Sequence, residues 1–223
     1  MSKLHVATVL VAALLSTATA FATQTAVNIS AEANTTWCGD PYYPLCCACT
    51  TMPSGAQTYD GVAFQIPTVN NAWFADVAAF GQSGEVSVTI PVNVKNVKTV
   101  YTLMNTQWGS TQSGLLSITF TGTGKATWTY NLVGGTDIRD QNNDGTTNTI
   151  DCALPNTITK TAGSAGTVSA WNNGQGQRLD MQIFELPKSF AGKTLVSVTI
   201  TDNGAPGVQR SFLAALTVST SAP

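Results

Sequence analysis

The sequence predicts an all-β fold, either a sandwich or a barrel. Apolar and polar residues alternate with period two along most of the chain after residue 22. Helical periodicity is almost absent there. Turn-forming stretches recur at short spacing: Gly81-Gln82-Ser83-Gly84, Gly122-Thr123-Gly124, Gly134-Gly135 and Asn203-Gly204. Many short alternating runs bounded by Gly and Asn are the signature of antiparallel sheets packed on one another.

Taken in order, the chain opens on "MSKLHVATVLVAALLSTATAFA", residues 1–22. Lys3, an apolar run to Leu15 and small residues at Ala18, Ala20 and Ala22 read as a secretory signal peptide, and the run is short for a membrane span. Strands are then expected at 25–30, 58–66, 85–94, 97–106, 115–122, 125–133, 178–186, 193–201 and 211–219. Together they make one β-sandwich domain over 23–220. Two long connections interrupt them, a cysteine-rich loop at 31–56 and a polar loop at 134–166. Long loops in a compact domain are commonly functional or pinned by covalent or metal links.

Composition narrows the chemistry. Lys and Arg number 10 against 12 Asp and Glu, and the single histidine is His5, inside the signal segment. No imidazole is left for Ser-His-Asp or Cys-His catalysis or for His-ligated zinc. No basic stripe suggests nucleic acid, and no second segment is apolar enough to span a bilayer. A secreted product, extracellular or periplasmic, is expected. Glutamate is confined to Glu32, Glu85 and Glu185. Asp180 and Glu185 have opposite parity on one predicted strand, so they do not form the facing carboxylate pair of a glycosidase. The expectation is a protein that is not an enzyme, with a secreted glycoside hydrolase as a lesser alternative.

The cysteines are Cys38, Cys46, Cys47, Cys49 and Cys152. In an exported chain they read first as disulfide partners, with one left over. At least one disulfide is expected, and a link from Cys152 to the early loop is one arrangement. A thiolate metal site is the alternative. "RDQNNDGTTNTIDC", residues 139–152, places Asp140, Asn142 and Asp144 at every second position. Gly145 follows, then Thr146 with its carbonyl, and Asp151 closes a twelve-residue span. Alternate oxygens and a glycine turn suit a hard cation such as calcium. Asp stands where the usual loop ends in Glu, and no helices flank it. A solvated Asn/Asp turn is the competing reading.

Several phrases occur in a shared order: "VNISAEAN" (27–34), "PSGAQTYDGVAFQIP" (53–67), "VKTVYTLMNTQWG" (97–109), "ATWTYNLVGGTDIRD" (126–140) and "AWNNGQGQRLDMQIFELP" (170–187). In these the chain resembles the galactose-binding-like jelly-roll domains, of carbohydrate-binding-module type, that are attached to secreted bacterial glycoside hydrolases. The resemblance implies two antiparallel sheets face to face and, often, carbohydrate recognition. Sugar sites use flat aromatic faces with a few placed amides. Trp108, flanked by Asn105 and Gln107, and Trp171, followed by Asn172, are the candidate ligand residues. Trp128, Tyr130 and Phe64 are expected in the core. A glycan or cell-surface polysaccharide is the expected partner. Extracellular structural assembly, including self-association through Thr/Asn-rich faces, is the alternative.

Overall fold

The computed structural model describes residues 23–37, 52–75, 84–107, 109–141, 161–174, 177–204 and 209–223. The twelve strands among the described residues all pair antiparallel. They are β1 (Gln24–Val27), β2 (Gly55–Tyr59), β3 (Val62–Ile66), β4 (Trp73–Phe74), β5 (Val86–Lys95) and β6 (Thr99–Gln107), followed by β7 (Leu116–Gly122), β8 (Ala126–Leu132), β9 (Ser164–Asn172), β10 (Arg178–Glu185), β11 (Thr194–Asp202) and β12 (Arg210–Ser219). One sheet runs β1-β12-β6-β10-β9, with β4 on β12, and the other runs β5-β11-β7-β8. With β2, β3, β4 and β9 set aside, the first, last, third and sixth strands share one sheet. The second, seventh, fourth and fifth share the other. That is the jelly-roll order, two interlocked Greek keys.

The four-stranded sheet has the alternation that its sequence predicts. Leu116, Ile118 and Phe120 of β7 and Val198 and Ile200 of β11 are buried, and Ser117, Thr119, Thr199 and Thr201 point away from the core. Against them pack Val100 and Met104 of β6, Phe184 of β10 and Leu216 and Val218 of β12. Phe120 stacks on Trp128, ring centres 5.1 Å apart, and meets Phe184 at 5.3 Å. Trp128 and Tyr130 are half-buried against this core and Phe64 is buried elsewhere, as expected of core residues.

The larger sheet does not alternate: β6, β10 and β12 are buried along their whole length. The cause is a third layer. The β2-β3 hairpin, Trp37, Met52 and Phe74 cover its outer face, where Tyr101, Leu103, Met181, Ile183 and Phe212 form a second core. Trp37 stacks on Phe212 at 4.4 Å. Its backbone N–H donates to Asn71 Oδ1 (2.6 Å), and Asn71 Nδ2 donates back to the Trp37 carbonyl (3.0 Å). Polar side chains on a strand buried on both faces must find partners. Thr102 does so by donating to Gln182 (2.8 Å), and Thr99 by donating to Glu185 (3.0 Å).

Three expectations are corrected. Residues 58–66 are not one strand: Asp60 (φ 48°) and Gly61 (φ 77°) turn the chain into the β2-β3 hairpin, a two-residue Asp-Gly turn of the kind that requires positive φ at both positions. The cysteine-rich span 31–56 is not all loop, because β2 begins at Gly55 and Thr35 bridges Ala72. The polar span 134–166 is not all loop either. It starts with ordered bridges at Gly134–Ile138 and Thr106–Asp140, and it ends in β9, whose Ser/Ala/Gly-rich sequence carries little strand signal.

Phe120 is fully buried at the centre of the sandwich, whereas Val69 is 82% exposed. Phe120→Ala is expected to cost about 3–5 kcal/mol. Val69→Ala should stay within about 0.5 kcal/mol. Urea unfolding monitored by circular dichroism checks both.

Candidate functional site

The strand directions gather one set of connections at one end of the sandwich. β6, β8, β9 and β11 finish there, and β5, β7, β10 and β12 begin there. The sequence-predicted ligand residues Asn105, Gln107, Trp171 and Asn172 therefore lie on strand ends at the same pole. Trp108, Asn142, Asp144, Thr146, Asp151 and all of Cys38, Cys46, Cys47, Cys49 and Cys152 lie outside the described residues.

The pairing of β6 with β10 stops at Met104–Asp180, and the strands then diverge. The segment 139–141 fills the gap. Thr106 N–H donates to the Arg139 carbonyl (2.9 Å), Gln141 N–H to the Thr106 carbonyl (2.7 Å), and Arg178 N–H to the Gln141 carbonyl (2.9 Å). A buried ion pair holds the wedge. Arg139 donates through Nε to Asp180 Oδ2 (2.9 Å) and through Nη2 to Asp180 Oδ1 (2.5 Å). Both groups are almost wholly buried, the geometry is bidentate, and Asp180 is fully enclosed.

Asn105 completes this network. Its Oδ1 accepts from Asp180 N–H (2.9 Å), and its Nδ2 donates to Asp180 Oδ2 (2.9 Å) and to the Arg139 carbonyl (3.4 Å). Asn105 is fully buried. Its amide is spent inside the protein, which corrects the expectation that it reaches a ligand. Gln107 is different. It is buried, and neither its Nε2 nor its Oε1 has a hydrogen-bond partner. Gln177 Nε2 and Ser211 Oγ at the same pole are also unpartnered. Such groups cost stability unless something else satisfies them. Trp171 is half-buried beside the second core, opposite Leu179 on β10. Asn172 is exposed and uses Oδ1 to accept from Gly174 N–H (3.2 Å). Asn173 and Gln177 close the β9-β10 turn, with Asn173 Nδ2 donating to Gln177 Oε1 (3.0 Å).

Most carboxylates at this pole are occupied, the exposed Glu85 before β5 being the exception. Asp140 Oδ2 accepts from Gly109 N–H (3.1 Å), while its carbonyl accepts from Arg178 Nε (2.8 Å). Asp202 accepts from Gly204 N–H (2.7 Å) and Ser211 N–H (2.6 Å), with Arg210 Nη1 at 3.7 Å. Burial still pushes the Asp202 carboxyl above the usual range, against those bonds. Asp137 is raised likewise by burial. Tyr130 donates to Asp137 Oδ1 (3.3 Å), and burial together with the Asp137 charge pushes the phenol up to about 12. Among the described residues, no three His, Cys, Asp or Glu side chains converge on a metal position, and no helix is long and apolar enough to cross a membrane.

Sequence reasoning missed Arg139, Asp180 and Gln177. Arg139 stood inside the calcium-like stretch and Asp180 was weighed only as a catalytic acid. Their pairing links positions 41 apart in the chain, and no local pattern reports it. In comparisons with protein-family models, curated proteins and solved structures, none matches this chain.

Asp180→Ala leaves the Arg139 guanidinium buried without its partner and should cost about 3–5 kcal/mol. The apolar double variant Arg139→Met/Asp180→Leu is expected to recover most of that loss in the same denaturant titration. Tyr130 gives a pH signature. Its folded pKa of about 12 lies above the ordinary 10.0. Its contribution to stability is therefore complete below about pH 10 and is lost as the pH rises towards 12. Asp137→Asn removes the charge and leaves the burial. Ultraviolet titration should then show this tyrosine ionising below 12 but still above 10.0.

Proposed function

We propose that the chain is a secreted, non-catalytic binding module related to the galactose-binding-like jelly rolls, and that it takes a neutral glycan at the loop-bearing pole around Trp171. One observation carries the reading. A half-buried tryptophan shares the pole with buried amides, Gln107 and Gln177, that have donors or acceptors to spare. An aromatic face and a few uncommitted amides are what a sugar ring needs from a protein. The occupied state of Asp140, Asp180 and Asp202 supports binding over hydrolysis, since these three acids at the pole are already held by N–H groups or a guanidinium. Calcium at 140–151 and a disulfide from Cys152 fit the same reading as supports for the neighbouring loop.

A glycan array probed with the mature protein tests this. Competable binding to a defined set of neutral glycans is expected. Trp171→Ala should weaken it by about 2 kcal/mol or more while the fold persists. Trp108→Ala is the parallel variant. Silence on the array, or full affinity in a folded Trp171→Ala protein, would overturn the assignment. Turnover of a polysaccharide would overturn its non-catalytic part.

A further inference from the structure

Among the described residues, the basic side chains are sorted by type. Arg139, Arg178 and Arg210 sit at the loop-bearing pole with their guanidinium groups turned inward. Every described lysine is at the opposite pole. Lys95 ends β5, Lys98 precedes β6 and Lys125 lies in the β7-β8 turn. Lys188 and Lys193 lie between β10 and β11. The chain as a whole is slightly acidic, with a formal charge of −2. This pole is therefore a local reversal of its sign.

A cleft of about 600 Å³ opens among three of these lysines, Lys95, Lys98 and Lys188. All three are exposed at its rim. Its floor is apolar, made largely of Val97, Leu186 and Phe190. Close packing below supports that floor: a Cβ at Gly122 would stand 3.0 Å from the Phe190 ring, so a larger residue there would press on the short 3-10 turn Lys188–Phe190 where it seats on the sandwich. Among the described residues, Glu185 is the one carboxylate lining the cleft, and it is buried with Oε1 accepting from Thr99. The accessible charge at the mouth is cationic. A cleft lined by one sign of charge concentrates ions of the other sign. The volume suits a small molecule or one or two sugar rings.

We propose that this cleft is a second binding site, separate from the Trp171 pole, for an anionic saccharide whose carboxylate meets the Lys95, Lys98 and Lys188 ammonium groups while its ring lies on the apolar floor. An anionic membrane is the weaker fit. Surface insertion needs protruding apolar side chains. The large apolar residues exposed among the described ones are Val69 and Val133, and neither lines the cleft.

Titration calorimetry of the mature protein with oligogalacturonate, with a neutral galactose oligomer as control, tests the site. Binding of the acidic oligomer alone is expected, and it should weaken as salt is raised from low to physiological ionic strength. Lys95→Gln/Lys98→Gln/Lys188→Gln should lose about tenfold or more in affinity, or about 1.4 kcal/mol. Its unfolding midpoint should not move, because the three side chains are exposed. Lys188→Glu alone should weaken binding in the same direction. Trp171→Ala should leave it intact, which separates this site from the one proposed above. The proposal is overturned if the acidic oligomer does not bind, or if the triple variant binds it as well as the parent. Loss of binding in Trp171→Ala, or vesicles containing phosphatidylglycerol binding in preference to the oligomer, would also overturn it.

Discussion

The Arg139–Asp180 pair is the constraint on which the loop-bearing pole depends. Two central strands, β6 and β10, part there, their pairing ending at Met104–Asp180. Parting strands expose backbone N–H and C=O groups that a buried sheet cannot leave unpaired. The segment 139–141 supplies the missing partners, and the ion pair with Asn105 keeps that segment in place. A buried pair of this kind adds little net stability over an apolar replacement. What it contributes is position: the guanidinium fits one register of one segment, so the start of the polar connection is fixed relative to β9 and β10.

That arrangement gives the molecule two chemically different poles. At one, the arginines and Asp140, Asp180 and Asp202 are held internally, and the Gln107 and Gln177 amides have uncommitted atoms. At the other, the connections are short turns, and long lysine side chains stand free in water around an apolar cleft. The difference follows from residue chemistry. Arginine makes planar, bidentate bonds and tolerates burial against carboxylates and carbonyls. Lysine is a strongly hydrated point charge that stays at the surface. The sheet faces divide in a similar way. Thr89, Thr199, Thr119 and Thr129 form one registered row across the smaller sheet, with hydroxyl contacts of 2.9 Å between Thr89 and Thr199 and between Thr119 and Thr129. The central strands β6, β10 and β12 of the larger sheet are covered on both sides.

Alternation made most strands readable, because one face of the smaller sheet meets water and the other meets the core. β7 and β11 were found nearly to the residue for that reason. β9 was missed because Ser164, Ala165 and Gly166 carry no strand preference of their own; pairing with β10 makes them a strand. The β2-β3 hairpin was read as one strand, although Asp60-Gly61 is a strong turn signal. Of the candidate ligand residues, Asn172 is exposed and Trp171 is half-buried against the second core. Asn105 is internal, since its amide caps the site where β6 and β10 separate. The lysine cleft was invisible, although Lys95 and Lys188 lie between predicted strands and Lys98 at the start of one. Deciding that alternate turns share a pole requires the strand order.

By itself, then, the sequence determined that the chain is all-β and where its main strands run, because periodicity is a local property. Only the tertiary structure decided the jelly-roll order, the third layer over the larger sheet, the Arg139–Asp180 lock and the separation of arginines from lysines. Each of these joins residues far apart in the chain. Contacts of that kind depend on which strands pair and on which faces become covered, and the strands' own sequences do not specify either.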